Sequence, residues 1–219
     1  MELFSARVCP YAHRTRLLLI EKNVPFVLTE IDFRNKPTRF MQASPYGKVP
    51  AVVHDGSTIY ESAIINEYVN EVFASPSFMP SSPLLRAKSR IWIDYCDDYF
   101  IDDYYALLKN QETARHPMLL EKARRNFMFI EEKGLAELGG SGPYWLGADV
   151  SLVDFAWYPF FERLPAWSYY RGLQIPESCH RLKAWIAAMA ARSSVRQIMN
   201  DREYYIEHYL GYAKQVLSA

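Results

Sequence analysis

The chain of 219 residues is half hydrophobic and 23% charged, which is enough apolar material for a buried core and excludes a disordered polyelectrolyte. Its 25 Lys and Arg balance 25 Asp and Glu, eight against eight before Ser81 and 17 against 17 from it onward, so neither half carries the cationic excess that phosphate backbones demand. No apolar run reaches the ~20 residues needed to span a bilayer and no leader pattern opens the sequence, so a cytoplasmic protein that binds neither nucleic acid nor membrane is expected.

Glu2–Ser5 reads as a short apolar strand, followed by a loop through Cys9-Pro10 and a helix over 12–22 with Ala12, Leu17, Leu18, Leu19 and Ile20 on its apolar face. Residues 26–31 favour an extended strand after Pro25, and a short helix is predicted over 37–41. Ser44-Pro45-Tyr46-Gly47 is a turn. The runs 49–54 and 57–60 flank Asp55-Gly56, the pair most favoured in two-residue hairpins, and should pair antiparallel. Ile64, Ile65, Tyr68, Val69 and Val72 then recur at helical spacing over 63–73. The predicted order is βαβαββα.

Residues 75–83 hold three prolines and four serines, the composition of an interdomain linker. A first domain over 1–76 and a second over 83–219 follow. Beyond the linker no strand alternation is found. Helical spacing is predicted over 84–110, 117–138, 151–167, 178–189 and 202–217, so the second domain is all-α.

Cys9, Cys96 and Cys179 are too few, and odd in number, for a secreted disulfide framework. Cys9-Pro10-Tyr11-Ala12 lies where strand gives way to helix, and unpaired N–H groups at a helix start favour an anion, here the thiolate. Pro10 suits the first turn, since its missing donor has no intrahelical partner to lose. Because Ala12 stands where a second cysteine would close an intramolecular disulfide, a mixed disulfide at Cys9 has to be resolved by an external thiol. Glutathione is the abundant choice, serving as cofactor and reductant.

Four stretches in register, Cys-Pro-Tyr-Ala-His-Arg-Thr-Arg at 9–16, Asn35-Lys36-Pro37, Ser44 to Pro50 and Tyr60 to Ile64, resemble the omega and lambda classes of glutathione transferase. The likeness is nearly continuous over 1–80. It implies a thioredoxin-like N-terminal domain that binds glutathione and an all-helical C-terminal domain that takes a small hydrophobic or glutathionylated acceptor. Cys9 would be catalytic. Tyr11, Lys36, Val49, Pro50, Glu61 and Ser62 would bind glutathione: Val49 through its backbone beside a cis Pro50, Glu61 and Ser62 at the γ-glutamyl end, and Lys36 at the glycyl carboxylate. Ser62 also reads as a plain helix cap. The resemblance further implies a homodimer and three activities that the sequence does not separate: thiol transfer, deglutathionylation and dehydroascorbate reduction.

His13 is four residues beyond Cys9 and is expected to be structural rather than catalytic. Asp94, Asp97, Asp98, Asp102 and Asp103 crowd one helix without a convergent second acidic motif, so no metal is expected. Ser151 and Asp154 have the spacing of a capping box. Aromatics such as Tyr95, Tyr99, Trp157 and Trp167 suit a helical core, and some of them an acceptor pocket. Two rival functions remain: a non-enzymatic interaction protein resembling the RNA polymerase-associated stringent starvation proteins, and a catabolic lyase for one aromatic thioether.

Overall fold

The computed structural model describes residues 1–214 and divides into two compact units, Met1–Pro83 and Leu84 onward. The first follows the order β1 (Glu2–Ser5), α1 (Pro10–Glu21), β2 (Val27–Glu30), α2 (Thr38–Ala43), β3 (Ala51–His54), β4 (Ser57–Tyr60) and α3 (Ser62–Val72). The strands make one sheet ordered β2-β1-β3-β4, with β1 parallel to β2 and the other pairs antiparallel. The β3–β4 hairpin turns through Asp55 and Gly56, both at positive φ (48° and 77°), as two-residue hairpins with right-handed strand twist require.

Strand period places alternate residues on opposite faces. Phe4 and its cross-strand neighbour Ala51 join Phe40 and Ala43 of α2 in one buried cluster, with the Phe4 and Phe40 rings 5.7 Å apart. Leu3 and Val52, also paired and fully buried, take the opposite face. Residues 49 and 50, expected to open the third strand, lie outside it. Pro50 has no N–H to give a ladder, and the Val49–Pro50 bond is cis.

Lys22 closes this unit at its far end. Its ammonium is nearly buried, donates to the carbonyls of Phe73 (2.6 Å) and Pro76, and sits 5.0 Å from the centre of the Phe78 ring. Burial pulls its pKa down, and these contacts tie the end of α1 to the segment after α3.

The second unit is helical: α4 (Pro83–Tyr95, counted from the last residue of the first unit), α5 (Ile101–Lys109), α6 (His116–Phe129), α7 (Ala136–Leu138), α8 (Leu152–Glu162), α9 (Leu164–Arg171), α10 (His180–Ala190), α11 (Ser193–Ile198) and α12 (Arg202–Lys214). The helix predicted over 84–110 carries a π-helical stretch at Cys96–Phe100, and another, Ile130–Leu135, follows α6. The helix predicted over 151–167 is two. The chain breaks at Arg163, two residues before Pro165, which takes the first turn of α9 where its missing donor has no partner to lose, while Pro159 is accommodated inside α8. The short α11 was not anticipated. Residues 215–217, predicted to continue the last helix, lie outside the described residues.

Tryptophans fill this core. Trp145 lies 5.0 Å from Trp92 and 5.3 Å from Trp157, ring centre to ring centre, in contact with the backbone of Gly134. A Cβ on Gly134 would fall 2.5 Å from that ring, so Gly134→Ala is expected to cost about 1–3 kcal/mol, read as a lower urea midpoint. An unchanged midpoint would show that the ring can move aside. Among the described residues, no helix is long and apolar enough to cross a membrane.

Candidate functional site

Cys9 is the N-cap of α1, in extended conformation (φ −69°, ψ 119°) with Pro10 as the first helical residue. Its carbonyl accepts from His13 N–H at 3.0 Å, as a cap residue's should, which leaves the side chain facing the orphan donors of the first turn. Its Sγ accepts from Ala12 N–H at 3.5 Å and lies 3.6 Å from the carbonyl oxygen of Val49, to which the thiol donates. The residue is half-buried and packs against the Phe4–Phe40 cluster with Val53 and Tyr60. Two backbone groups thus act on one sulfur. The N–H favours the thiolate and the carbonyl favours the thiol.

Val49 is held by the turn before it. Gly47 N–H donates to Ser44 O (2.9 Å), Lys48 N–H to Ser44 Oγ (3.0 Å), and Ser44 Oγ–H back to Lys48 O (2.7 Å). Lys36 Nζ reaches the same turn, donating to Gly47 O at 3.1 Å, and Gly47 adopts the positive φ of 60° that favours glycine. The Tyr46 ring leans edge-on against Tyr60, 5.4 Å centre to centre.

Antiparallel register sets Ala51 opposite Tyr60, which brings the cis Val49–Pro50 bond beside Glu61 and Ser62. Glu61 occupies the N-cap position of α3 with φ 69° and ψ 117°, a strained conformation for a residue with a side chain, and is exposed. Ser62, expected as the cap, is instead the first helical residue, nearly buried, and its Oγ accepts from Arg14 Nη1 at 3.2 Å.

Arg14 was not singled out from sequence. It is almost fully buried on α1, its guanidinium carbon 5.1 Å from the centre of the half-buried Tyr11 ring, so one side chain links the residue two beyond Cys9 to the start of α3. Thr15 repeats the link, donating to Asn66 Oδ1 at 3.0 Å. Arg14, Thr15 and Arg16 interrupt the apolar pattern of α1, yet all three are buried. That contradiction within a core helix was the available signal.

Two family models match the chain, one described as the N-terminal domain of glutathione S-transferase over residues 8–72 and one as its C-terminal domain over 113–188. Glutathione S-transferase U19 of Arabidopsis thaliana is 31% identical over 90% of this chain and 88% of its own length. The chain belongs to the glutathione S-transferase family. Glutathione S-transferase omega-1 of Sus scrofa is 30% identical over 86% of this transferase and 76% of its own length. The tau-class enzyme of mango, Mangifera indica, superposes with a TM-score of 0.90 at 25% identity, over 99% of this chain and 98% of its own. The architecture of the transferase is that of the family: a mixed α/β N-terminal unit with a four-stranded sheet, followed by helices.

Cys96, Cys179 and His13 are buried, and Asp103 is ion-paired. Among the described residues no cysteine forms a disulfide. Cys179 is buried beside Met128 Sδ (3.5 Å), and burial, then the nearby Glu131, push its thiol up, away from reactivity. Cys96 is buried in the π-helical stretch with its thiol on Ala156 O. His13 is fully buried on α1. Of the aspartates, Asp103 pairs with Lys122 at 2.6 Å and accepts from Asn126, and no cluster able to hold a metal occurs among the described residues.

Proposed function

We propose that this glutathione transferase is of the cysteine type, omega-like, and works as a glutathione-dependent thiol transferase and reductase with Cys9 as its nucleophile. The observation that carries the reading is the placement of Sγ at the start of α1, where Ala12 N–H points at it. Residues 1–76 are assigned the glutathione chemistry and the helical residues 83–219 the choice of a small hydrophobic or glutathionylated acceptor. A cytoplasmic homodimer is the expected setting.

The chemistry runs in two exchanges. Cys9 thiolate attacks the glutathionyl sulfur of a mixed disulfide R–S–S–G, the S–S bond breaks, and the substrate leaves as the thiolate R–S⁻, which takes a proton from water. Cys9 then holds the glutathionyl group. The thiolate of a second glutathione attacks that group, releasing glutathione disulfide and restoring Cys9 thiolate. With no second cysteine at position 12, this external resolution is the route that the local chemistry leaves.

The site is suited to the tripeptide in three places. Val49 offers backbone beside the cysteinyl unit. Ser62 Oγ accepts from Arg14 and so keeps its own hydrogen to donate to the γ-glutamyl carboxylate, with the N–H groups of α3 behind it. Lys36, anchored on Gly47 O, is within the same turn for the glycyl carboxylate. Ser62→Ala should raise KM for glutathione about tenfold, the worth of one charge-assisted hydrogen bond, with kcat changed less than threefold. Steady-state kinetics against glutathione reads this directly, and an unaltered KM would remove Ser62 from the binding set.

A further inference from the structure

We propose that the Val49 carbonyl is a proton-holding group for Cys9, and that a bound glutathione releases the thiolate by taking that carbonyl for its own cysteinyl N–H. The inference rests on the glutathione reading above and adds how occupancy of the site governs its nucleophile. Its ground is the opposition at one sulfur: Ala12 N–H at 3.5 Å stabilises the anion, whereas Val49 O at 3.6 Å is satisfied by this sulfur only while the sulfur keeps its proton. Ionising Cys9 in the unliganded protein would bring a negative sulfur against a carbonyl oxygen stripped of that donor. Cys9 and Val49 both pack with the Phe4–Phe40 cluster, whose low polarity strengthens each of these two contacts.

A tripeptide laid antiparallel along Val49 changes the balance without touching the sulfur. Its N–H competes with the thiol for Val49 O and weakens the thiol's hold on that acceptor, while the Ala12 N–H at 3.5 Å is untouched. The proton passes to solvent. No covalent bond changes, and the reaction begins only once the tripeptide is seated, so the thiolate is spared while the site is empty. The titratable and charged side chains on the two elements around the sulfur are Tyr11, His13, Arg14, Arg16 and Glu21 on α1 and Tyr60 on β4.

The test uses γ-glutamyl-alanyl-glycine, which has the backbone of glutathione and no sulfur. It is titrated at fixed neutral pH into the full-length protein and into Cys9→Ser, with binding followed by calorimetry in buffers of different ionisation enthalpy and thiolate by absorbance near 240 nm. The expected result is binding to both proteins, with proton release and a rise of about two- to tenfold in the thiolate-to-thiol ratio in the Cys9 protein alone, the range set by one hydrogen bond. Binding with no proton release, or with a fall in absorbance, overturns the carbonyl exchange and leaves the glutathione site standing. Failure to bind overturns both.

Discussion

Cys9→Ser is expected to reduce thiol transfer by on the order of a thousandfold or more while leaving glutathione bound. A serine hydroxyl is barely ionised at neutral pH and forms no disulfide, so both exchanges lose their nucleophile. The cap survives, because serine is among the preferred N-cap residues and its oxygen can accept from Ala12 N–H as sulfur does. The substitution therefore separates chemistry from folding. Turnover of a glutathionylated substrate by the variant, measured beside retention on a glutathione matrix, is the check; retained turnover would move the reactive atom elsewhere in the molecule.

Asp154→Ala is expected to cost about 3–5 kcal/mol and to leave the helical unit marginally stable. The carboxylate is fully buried and accepts four hydrogen bonds: from Trp145 N–H (3.1 Å), Ser151 N–H (2.8 Å), Ser151 Oγ (2.7 Å) and Trp185 Nε1 (2.8 Å). It closes the capping box of α8 and also holds Trp145 by its backbone and Trp185 by its ring nitrogen. Alanine would strand those donors in an apolar interior. Burial pushes the Asp154 carboxyl above its ordinary range and its four donors only partly oppose this. A raised acid favours folding while protonated, so the proton-linked part of its contribution is full below the unfolded carboxyl pKa and is lost as pH rises through the folded one, whereas the four hydrogen bonds act in addition to it. Denaturation midpoints of Asp154→Ala and Asp154→Asn across the acid range test both points. Asparagine should recover part of the loss and flatten the pH dependence; a midpoint for alanine within 0.5 kcal/mol of the parent would refute the network's role.

The parts of the fold that were legible in the sequence are those governed by local rules. Asp55-Gly56 announced the β3–β4 hairpin through the positive φ it supplies, and Ser151 with Asp154 announced the start of α8. Cys9-Pro10 marked the cap of α1, because proline at the first helical position fits nowhere else as well. What failed depended on long-range contacts or on one residue outweighing its neighbours. The apolar spacing through 151–167 is continuous, yet the helix breaks at Arg163, two residues before Pro165. Ser62 has a cap's composition, but the strained Glu61 precedes it, and β4 with its register fixes that backbone. Arg14 is a charged residue on a helix that is buried almost throughout. Its value to the site comes from Ser62, 48 residues away in the chain, which no local pattern encodes.

Mass spectrometry after incubation with glutathione disulfide addresses the nucleophile without choosing an acceptor. The expected result is a gain of one glutathionyl group on the intact chain, mapped to Cys9 and removed by excess glutathione, with Cys96 and Cys179 unmodified in their buried positions. A chain that gains nothing, or that gains the group at another cysteine, would contradict the assignment of Cys9 as the atom on which this transferase works.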